Sequence, residues 1–209
     1  MTLTAGERHG NPVLELFERK ADTYRQRSDA FPWRAIRAAE ARAVAAMLGP
    51  VDGKAALDLG CGAGFYTRLL LQRGAAHVTA VDFSPAMVSA LPRSGVRGIV
   101  ADALSLRLSD KFPCIVSAGL LEFVSDPLGV FASARHHADR DTVFVLLAPS
   151  QSFLGQVYRA FHRANGLSIR LYSRSELTDL AARSGWRIVR YRTVLPFAQV
   201  ARLEFARTP

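Results

Sequence analysis

The sequence predicts one α/β domain built on a doubly wound, mostly parallel sheet. Its 209 residues suffice for a single domain with a sizeable core, and 49% apolar with 22% charged residues is typical of a globular chain. From Ala55 onward, short apolar runs that end in a small or acidic residue alternate with helical stretches. Buried parallel strands joined by crossover helices have this pattern.

This alternation places the elements in order. Strands are expected at the apolar runs 55–59, 77–81, 98–101, 114–118 and 143–147, and helices between them at 65–73, 85–91 and 128–137. Two helices precede the first strand, one beginning near Val13 and one over residues 34–48 that ends at Gly49-Pro50. Residues 150–172 then interrupt the rhythm with an amphipathic helix, which we expect to lie above the sheet as an insertion.

The C-terminal part opens with the capping-box pattern Ser173-Arg174-Ser175-Glu176, which predicts the start of a helix that ends near Gly185. The partly alternating stretches 186–194 and 197–205 are expected to be the two last strands.

The net charge of +9 comes mostly from arginine. Residues 150–209 hold 10 cations against 3 anions, so the excess is C-terminal. These arginines are dispersed among apolar residues, whereas nucleic-acid-binding chains more often show a basic run or stripe. A solvated basic face is therefore favoured, and nucleic acid stays open as a less favoured partner.

Cysteine usage and hydropathy bear on location. Cys61 and Cys114 are far apart and have no metal-ligand spacing, so neither a zinc site nor a disulfide framework is expected and a reduced, cytoplasmic setting fits. The first residues lack an apolar targeting stretch. The longest apolar stretch, 143–148, is far below the roughly 20 residues that cross a bilayer, so no membrane span is expected.

The clearest ligand-binding signal is the segment Leu57-Asp58-Leu59-Gly60-Cys61-Gly62-Ala63-Gly64, an apolar strand that breaks into a glycine turn before a helix. Glycines let the backbone turn sharply beside a ligand, and the following helix offers unpaired N–H groups to an anion. The spacing matches neither the dinucleotide fingerprint Gly-x-Gly-x-x-Gly nor the Gly-Lys-Ser/Thr ending of a P-loop.

This segment resembles motif I of the class I S-adenosylmethionine-dependent methyltransferases, in particular small-molecule members of the type 11/12 kind. The resemblance implies a Rossmann-like sheet of seven strands in the order 3-2-1-4-5-7-6 with one antiparallel strand. It also implies that S-adenosylmethionine is the cofactor and S-adenosylhomocysteine the product. The first cofactor-binding residues implied are those of the loop: Asp58, Gly60, Cys61, Gly62 and Gly64.

Two acids follow at the next strand ends. Asp82 ends the run Val78-Thr79-Ala80-Val81, and a carboxylate there can accept both hydroxyls of a ribose. In the resembled family the next residue often lies against the adenine, which implies that role for Phe83. The family commonly uses an acid at the third strand end for the adenine amino group, which implies that role for Asp102, with Ala103 as a backbone contact.

Further cofactor contacts are implied on two other segments. The stretch from Ser117 to Pro127 resembles the segment after the fourth strand in small-molecule methyltransferases, so Ser117 and Ala118 are expected beside the methionine moiety. Where that family usually has Leu-Glu-His-Val, this chain has Phe123 in place of the His, which removes a base; Glu122 either orients the loop or lies on the surface. Near the N-terminus, Ala21-Asp22-Thr23-Tyr24 resembles an Ala-x-x-Tyr segment, which implies that Tyr24 hydrogen-bonds the cofactor carboxylate or, alternatively, is a core aromatic.

Methyl transfer needs no obligatory catalytic motif, because positioning of the donor and acceptor supplies most of the effect. An amine or hydroxyl acceptor would need a base, for which His162 in the insertion is the candidate, against the alternative of a surface histidine. Arg159 and Arg163 on the same insertion have the planar fork that binds carboxylates, so they are candidate substrate residues for an acidic or planar small molecule.

The sequence therefore predicts a methyltransferase of a small-molecule acceptor, with no metal. The alternatives are an RNA methyltransferase, although the strand end Ser117-Ala118-Gly119 lacks the Asn/Asp-Pro-Pro-aromatic signature, and a non-catalytic partner subunit. The oligomeric state stays open. One domain over residues 1–209 is expected, with a helical cap (1–53), a cofactor-binding core (54–149), a substrate-side insertion (150–172) and a C-terminal helix with strands (173–209).

Overall fold

A computed structural model describes residues 33–206. Six α-helices are found in this range: α1 (Trp33–Leu48), α2 (Phe65–Gln72), α3 (Pro85–Ser89), α4 (Pro127–His136), α5 (Phe153–Ala164) and α6 (Arg174–Arg183). The seven strands of the same range are β1 (Ala55–Leu59), β2 (His77–Asp82), β3 (Val96–Val100), β4 (Cys114–Ala118), β5 (Val143–Pro149), β6 (Trp186–Val194) and β7 (Ala198–Phe205). A short 3₁₀ helix, Leu121–Phe123, follows β4.

The strands form one sheet in the order β3-β2-β1-β4-β5-β7-β6. β1 to β5 pair in parallel, whereas β7 is antiparallel to both β5 and β6. The predicted fold class, strand order and single antiparallel strand are confirmed. Because parallel strands end at the same edge, the loops after β1, β2, β3 and β4 meet there.

Helices cover both faces of the sheet. Successive side chains along a strand point to opposite faces, so each buried strand contributes to a core on either side. Leu57 and Leu59 of β1 face a core cluster that includes Phe131 on α4 and Leu177 on α6. Ala56 faces the opposite cluster, formed with α1 and α2. The central strands are therefore buried on both sides, as their continuous apolar runs predict.

Two helix boundaries follow the local signals in the sequence. Ser173 and Glu176 form the predicted capping box at the start of α6. Ser84 caps α3, where its hydroxyl accepts the N–H of Met87.

The third strand begins two residues earlier than expected, at Val96. Gly98 lies inside this strand. A β-carbon at this position would be 2.9 Å from Val88 Cγ1, so a side chain there would require Val88 to move. Within residues 33–206, no helix is long and apolar enough to cross a membrane.

Candidate cofactor and acceptor site

The loop between β1 and α2 turns on three glycines with positive φ, at Gly60, Gly62 and Gly64. A β-carbon at Gly60 would lie 2.8 Å from Leu120 Cβ, so a side chain there would push away the segment that follows β4. A β-carbon at Gly62 would meet nothing within 4 Å. The middle of the loop therefore faces open space, which a ligand can occupy.

Asp82, at the tip of β2, is held across this loop. One carboxylate oxygen accepts the N–H of Gly62 at 2.9 Å, and the other accepts the N–H of Ser84 at 3.0 Å. Burial raises the pKa of this carboxyl, and the backbone N–H groups oppose the rise. Each carboxylate oxygen has further acceptor capacity, so Asp82 is oriented beside the open space at Gly62 with the ability to accept more hydrogen bonds.

Two residues of the predicted cofactor set lie behind the loop. The Asp58 carboxylate accepts the Thr67 hydroxyl at 2.7 Å, which ties β1 to α2, and its burial raises the pKa of the carboxyl to about 7. The Cys61 thiol lies 3.5 Å from the Gly62 carbonyl oxygen, and burial raises its pKa. Both side chains support the shape of the loop, and direct contact with a cofactor stays a prediction for them.

The tip of β3 lies beside that of β2. The Ala101 N–H donates to the Asp82 carbonyl at 3.0 Å, and the Asp102 carboxylate accepts the N–H of Leu104 at 2.9 Å, which fixes the turn. Ala103 is buried behind this turn, whereas Phe83 is partly exposed. The predicted adenine residues thus follow adjacent strand ends, and their roles stay predictions.

The tip of β4 holds two buried polar atoms without a partner. Ser117 pairs in register with Leu59 of β1, and its side chain is completely buried. Ser117 Oγ and Glu122 Oε2 have no hydrogen-bond partner among the described residues. Native structures seldom leave such atoms unpaired, so this end of the site has the polar character of a ligand contact. Ala118, the next residue, is partly buried.

Glu122 is only 7% exposed, so the alternative of a surface carboxylate is wrong. It lies in the 3₁₀ helix, and its Oε1 would be 3.8 Å from a β-carbon added at Gly119. Burial raises the pKa of the carboxyl to about 8, and the Glu40 carboxylate adds to the rise.

Two further residues of this region, Arg37 and Glu40 on α1, were missed by the sequence reasoning. The Arg37 guanidinium lies over the Phe65 ring, 5.0 Å from its centroid, directly after the glycine loop. Burial raises the pKa of Glu40 to about 7, and Arg37 opposes the rise. One signal was present: Glu40 occupies the helical stripe that continues with the buried Val44 and Met47.

The helix α5 follows β5 at the same edge of the sheet and carries an aromatic cluster. Tyr158 stacks on Phe197 at 4.0 Å between ring centroids, and the Trp33 ring lies 5.8 Å from Phe161. Tyr158 and Phe123 both pack against a small cluster formed by Leu167, Ile169 and Leu171. The residues that follow α5 therefore contact both α5 and the 3₁₀ helix that carries Glu122.

The start of α5 is fixed by close packing. Ser152 caps the helix by accepting the N–H of Gly155 at 3.0 Å. A β-carbon at Gly155 would overlap the carbonyl oxygen of Ser150, so no side chain fits between the helix and the chain that leaves β5.

The remaining predicted residues are three side chains on α5 and Tyr24. The His162 ring lies against Tyr158 at 4.4 Å between centroids, and its role as a base stays a prediction. Arg159 and Arg163 are exposed on α5, and within residues 33–206 neither guanidinium has a hydrogen bond or ion pair. Tyr24 lies outside the described residues.

The sheet order, the glycine loop and the three adjacent strand tips define the class I S-adenosylmethionine-dependent methyltransferase fold. Residues 57–146 match the family model described as a methyltransferase domain. This match identifies a methyltransferase domain, and the structural neighbours below confirm the predicted class I methyltransferase fold, whereas S-adenosylmethionine as the cofactor stays a prediction.

One similar curated relative is a ubiquinone biosynthesis O-methyltransferase of Xylella fastidiosa (strain 9a5c). It is 32% identical over 95 residues, which make up 42% of this chain and 38% of that protein. The match spans only 38% of that relative's length, so it does not assign the relative's activity or substrates to this chain.

Two solved structures share the fold at low sequence identity. Magnesium protoporphyrin IX methyltransferase from Synechocystis PCC 6803, with bound S-adenosylhomocysteine, has a TM-score of 0.74 and 17% identity, over 92% of this chain and 98% of that chain. A putative methyltransferase of Haloferax volcanii, in complex with the Trm112 methyltransferase activator, has a TM-score of 0.75 and 15% identity, also over 92% of this chain and 98% of that chain.

Proposed function

We propose that the protein transfers a methyl group from S-adenosylmethionine to a small acceptor with a planar or apolar body and an acidic group. The observation that carries the proposal is the meeting of the loop, Asp82 and two unpaired buried polar atoms at one edge of the sheet. These features fit the cofactor, since they offer open space beside Gly62 and hydrogen-bond acceptors at the tips of β2 and β4.

Each part of the chain has a proposed role in holding the cofactor. Asp82 accepts the ribose hydroxyls, and Asp102 accepts the adenine amino group, with Phe83 against the ring. Ser117 and Ala118 lie beside the methionine moiety, and Tyr24 is a further candidate for its carboxylate. When bound, the cofactor would supply an electrophilic methyl group on a sulfonium; the acceptor would attack the methyl carbon in line as the methyl–sulfur bond breaks and S-adenosylhomocysteine leaves.

The enzyme contributes mainly by positioning. Asp82 and the glycine loop are held by backbone hydrogen bonds before any ligand arrives, so little reorganisation is needed. The aromatic cluster of Tyr158, Phe197 and Trp33 offers flat apolar surface for an acceptor. An acceptor that ionises near neutral pH needs little help from a base, and His162 is the candidate for one that does not.

An acidic group on the acceptor is proposed because of Arg159 and Arg163. They lie four residues apart and therefore on one stripe of α5, with no acidic partner among residues 33–206. A guanidinium binds a carboxylate through two parallel hydrogen bonds. The planar, carboxylated body is also suggested by the name of the Synechocystis neighbour, which acts on a porphyrin.

The first experiment is calorimetric titration of S-adenosylmethionine and S-adenosylhomocysteine into the parent and Asp82→Ala. Loss of charge-assisted hydrogen bonds should cost about 1.5–3 kcal/mol, or roughly ten- to a hundredfold in affinity. Asp110→Asn is the matched control, since Asp110 is an exposed acid paired only with Arg97. Equal affinity of Asp82→Ala and the parent would contradict the ribose assignment, and no binding by the parent would contradict the function.

The second experiment is a labelled-methyl screen of planar phenols and carboxylic acids, repeated with the double variant Arg159→Gln/Arg163→Gln. We expect a higher KM for the acceptor and an unchanged affinity for the cofactor. An unchanged KM would refute the role of these arginines. Arg183→Gln is the control, since it removes an exposed arginine on α6 that pairs with Asp179.

RNA is the second candidate acceptor. It is favoured by the exposed arginines Arg187, Arg190 and Arg192 on β6, which is the edge strand of the sheet. Filter binding of RNA at several salt concentrations distinguishes the candidates, because phosphate neutralisation gives a steep dependence of affinity on salt. A non-catalytic partner subunit is a further alternative, since the Haloferax neighbour was solved in complex with the Trm112 activator. Isolation of the protein with a stable second chain, and no turnover with any acceptor, would favour that alternative.

The proposal also includes a cytoplasmic setting and the four-part division of the chain. Cys61 and Cys114 are free, buried and in separate core clusters, which suits a reducing compartment. The four proposed parts are the cap (1–53), the core (54–149), the insertion (150–172) and the C-terminal part (173–209).

A further inference from the structure

The tip of β4 leaves two hydrogen-bond acceptors without a donor. Ser117 Oγ and Glu122 Oε2 are both buried and unpartnered among the described residues. Ser117 lies near the end of β4 and Glu122 in the 3₁₀ helix that follows it, at the sheet edge that also holds the glycine loop. Because buried polar atoms are almost always satisfied, a donor from outside residues 33–206 is expected here.

Among residues 33–206, the groups around the Glu122 carboxyl supply neither a hydrogen-bond donor to Oε2 nor a counter-ion. From α1, Glu40 adds a like charge, while Arg37 lies over the Phe65 ring. From the other side, the Tyr172 hydroxyl donates to the Leu121 carbonyl at 2.9 Å.

Arg170, next to this tyrosine, is also engaged elsewhere. Its guanidinium lies over the Tyr172 ring and pairs with Glu176 at 3.5 Å, while its backbone N–H donates to the Glu122 carbonyl. Within residues 33–206, no cation pairs with the Glu122 carboxyl.

A cation that donates hydrogen bonds would satisfy both atoms and would stabilise the ionised form of the Glu122 carboxyl. In S-adenosylmethionine the sulfonium has no N–H or O–H, whereas the methionyl ammonium has three N–H donors. The ribose hydroxyls and the adenine amino group are donors too, but they are neutral and already have proposed acceptors in Asp82 and Asp102.

We propose that Glu122, together with Ser117, binds the methionyl ammonium of the cofactor, and that Glu122 releases a proton to solvent when it does so. This inference rests on the proposed function and assigns a partner to one end of the same site. Glu122 is a cofactor-binding residue in this scheme and takes no proton from the acceptor.

The proton balance is simple. In the absence of ligand, burial and Glu40 hold the pKa of Glu122 at about 8, so the carboxyl is mostly protonated at pH 7. When the ammonium binds, the carboxyl O–H bond breaks, the proton passes to the buffer, and the carboxylate accepts N–H donors from the ligand. The net result is one ion pair formed and up to one proton released.

Calorimetry measures this proton directly. S-adenosylmethionine and S-adenosylhomocysteine are titrated at pH 7 into the parent in buffers that differ in ionisation enthalpy, and the slope of the binding enthalpy gives the number of protons. We expect release of between about half a proton and one proton from Glu122 with either ligand, since both carry the ammonium. Affinity should rise with pH, by up to about tenfold per unit, until it levels off near pH 8.

Glu122→Gln is the decisive variant, because it keeps the size of the protonated carboxyl and cannot ionise. Proton release should fall by at least about half a proton, and affinity should lose its rise with pH. Glu40→Gln should also lower proton release, because removing the neighbouring charge lowers the pKa of Glu122. Asp179→Asn, an exposed acid on α6, should release as many protons as the parent.

The outcomes separate the two proposals. Failure of the parent to bind either ligand would contradict the proposed function and this inference with it. Binding by the parent without proton release, or with equal release by Glu122→Gln, would overturn the Glu122 assignment and leave the function intact. Proton release with S-adenosylmethionine alone would also overturn it, since that result would assign the sulfonium as the partner.

Discussion

Replacement of Glu122 by glutamine should change how the stability of the ligand-free protein depends on pH. The carboxyl has a pKa of about 8 in the folded protein, against its ordinary value of 4.5. The folded state therefore binds the proton more tightly than the unfolded chain does. The stability that Glu122 contributes is complete below about pH 4.5 and is lost as the pH rises to about 8.

The size of the effect follows from these two pKa values. Between pH 5 and pH 9, the free energy of unfolding of the parent should fall by about 4 kcal/mol through Glu122 alone. Asp58 and Glu40 also have raised pKa values and act in the same direction, but they are present in both proteins. The difference between parent and Glu122→Gln therefore reports Glu122 together with its coupling to Glu40.

Urea unfolding of both proteins at several pH values from 5 to 9 tests this reasoning. We expect Glu122→Gln to gain stability relative to the parent as the pH rises, with most of the gain complete by about pH 8. Asp179→Asn, which removes an exposed acid, should follow the parent throughout. If the curves of Glu122→Gln and the parent run parallel, Glu122 is ionised or solvated in the folded protein and the account of its burial fails.

Two further variants test the loop and its support. Gly62→Ala places a methyl group in open space at positive φ, so it should cost about 1–2 kcal/mol of stability and at least tenfold in cofactor affinity by calorimetry. Gly53→Ala has the same strain and open space away from the site, so equal loss of affinity in both would contradict a ligand beside Gly62. Thr67→Val removes the hydroxyl that donates to the buried Asp58, and thermal unfolding should show a loss of about 1–3 kcal/mol. Thr193→Val on an exposed strand position is its control, and a similar change in both would argue against the Asp58 contact.

Much of the fold could be predicted from the sequence because its strands are buried on both faces. Continuous apolar runs such as 55–59 and 114–118 need no knowledge of their partners, and their observed bounds equal the expected ones. The predicted bounds of the third strand differ from the observed ones because β3 is an edge strand whose residues are partly or fully exposed. Its hydrophobic signal is weak, and Gly98 resembles a strand start although it lies inside the strand.

The site residues likewise divide into those that local sequence signals predict and those that depend on tertiary contacts. Glycines and acids at strand ends are signals local to the sequence, so the glycine loop, Asp82 and Asp102 could be found and the structure brings their strand tips together. Arg37 and Glu40 could not be found in this way, because charged residues in an alanine-rich helix usually face solvent. The burial of Glu122 depends on how the segment around Tyr172 folds back to contact it, and no local pattern encodes that contact.

The contact between Gly155 and the Ser150 carbonyl has a consequence for how this scaffold can diversify. Because nothing larger than hydrogen fits there, the first turn of α5 is held against the chain that leaves β5. Under the proposed function, exchange of Tyr158 would therefore change the acceptor surface while the start of the helix stays in place. A larger residue at position 155 would instead force the start of α5 away from Ser150. Single substitutions on α5 could change the proposed acceptor selectivity without moving the helix only while Gly155 is retained.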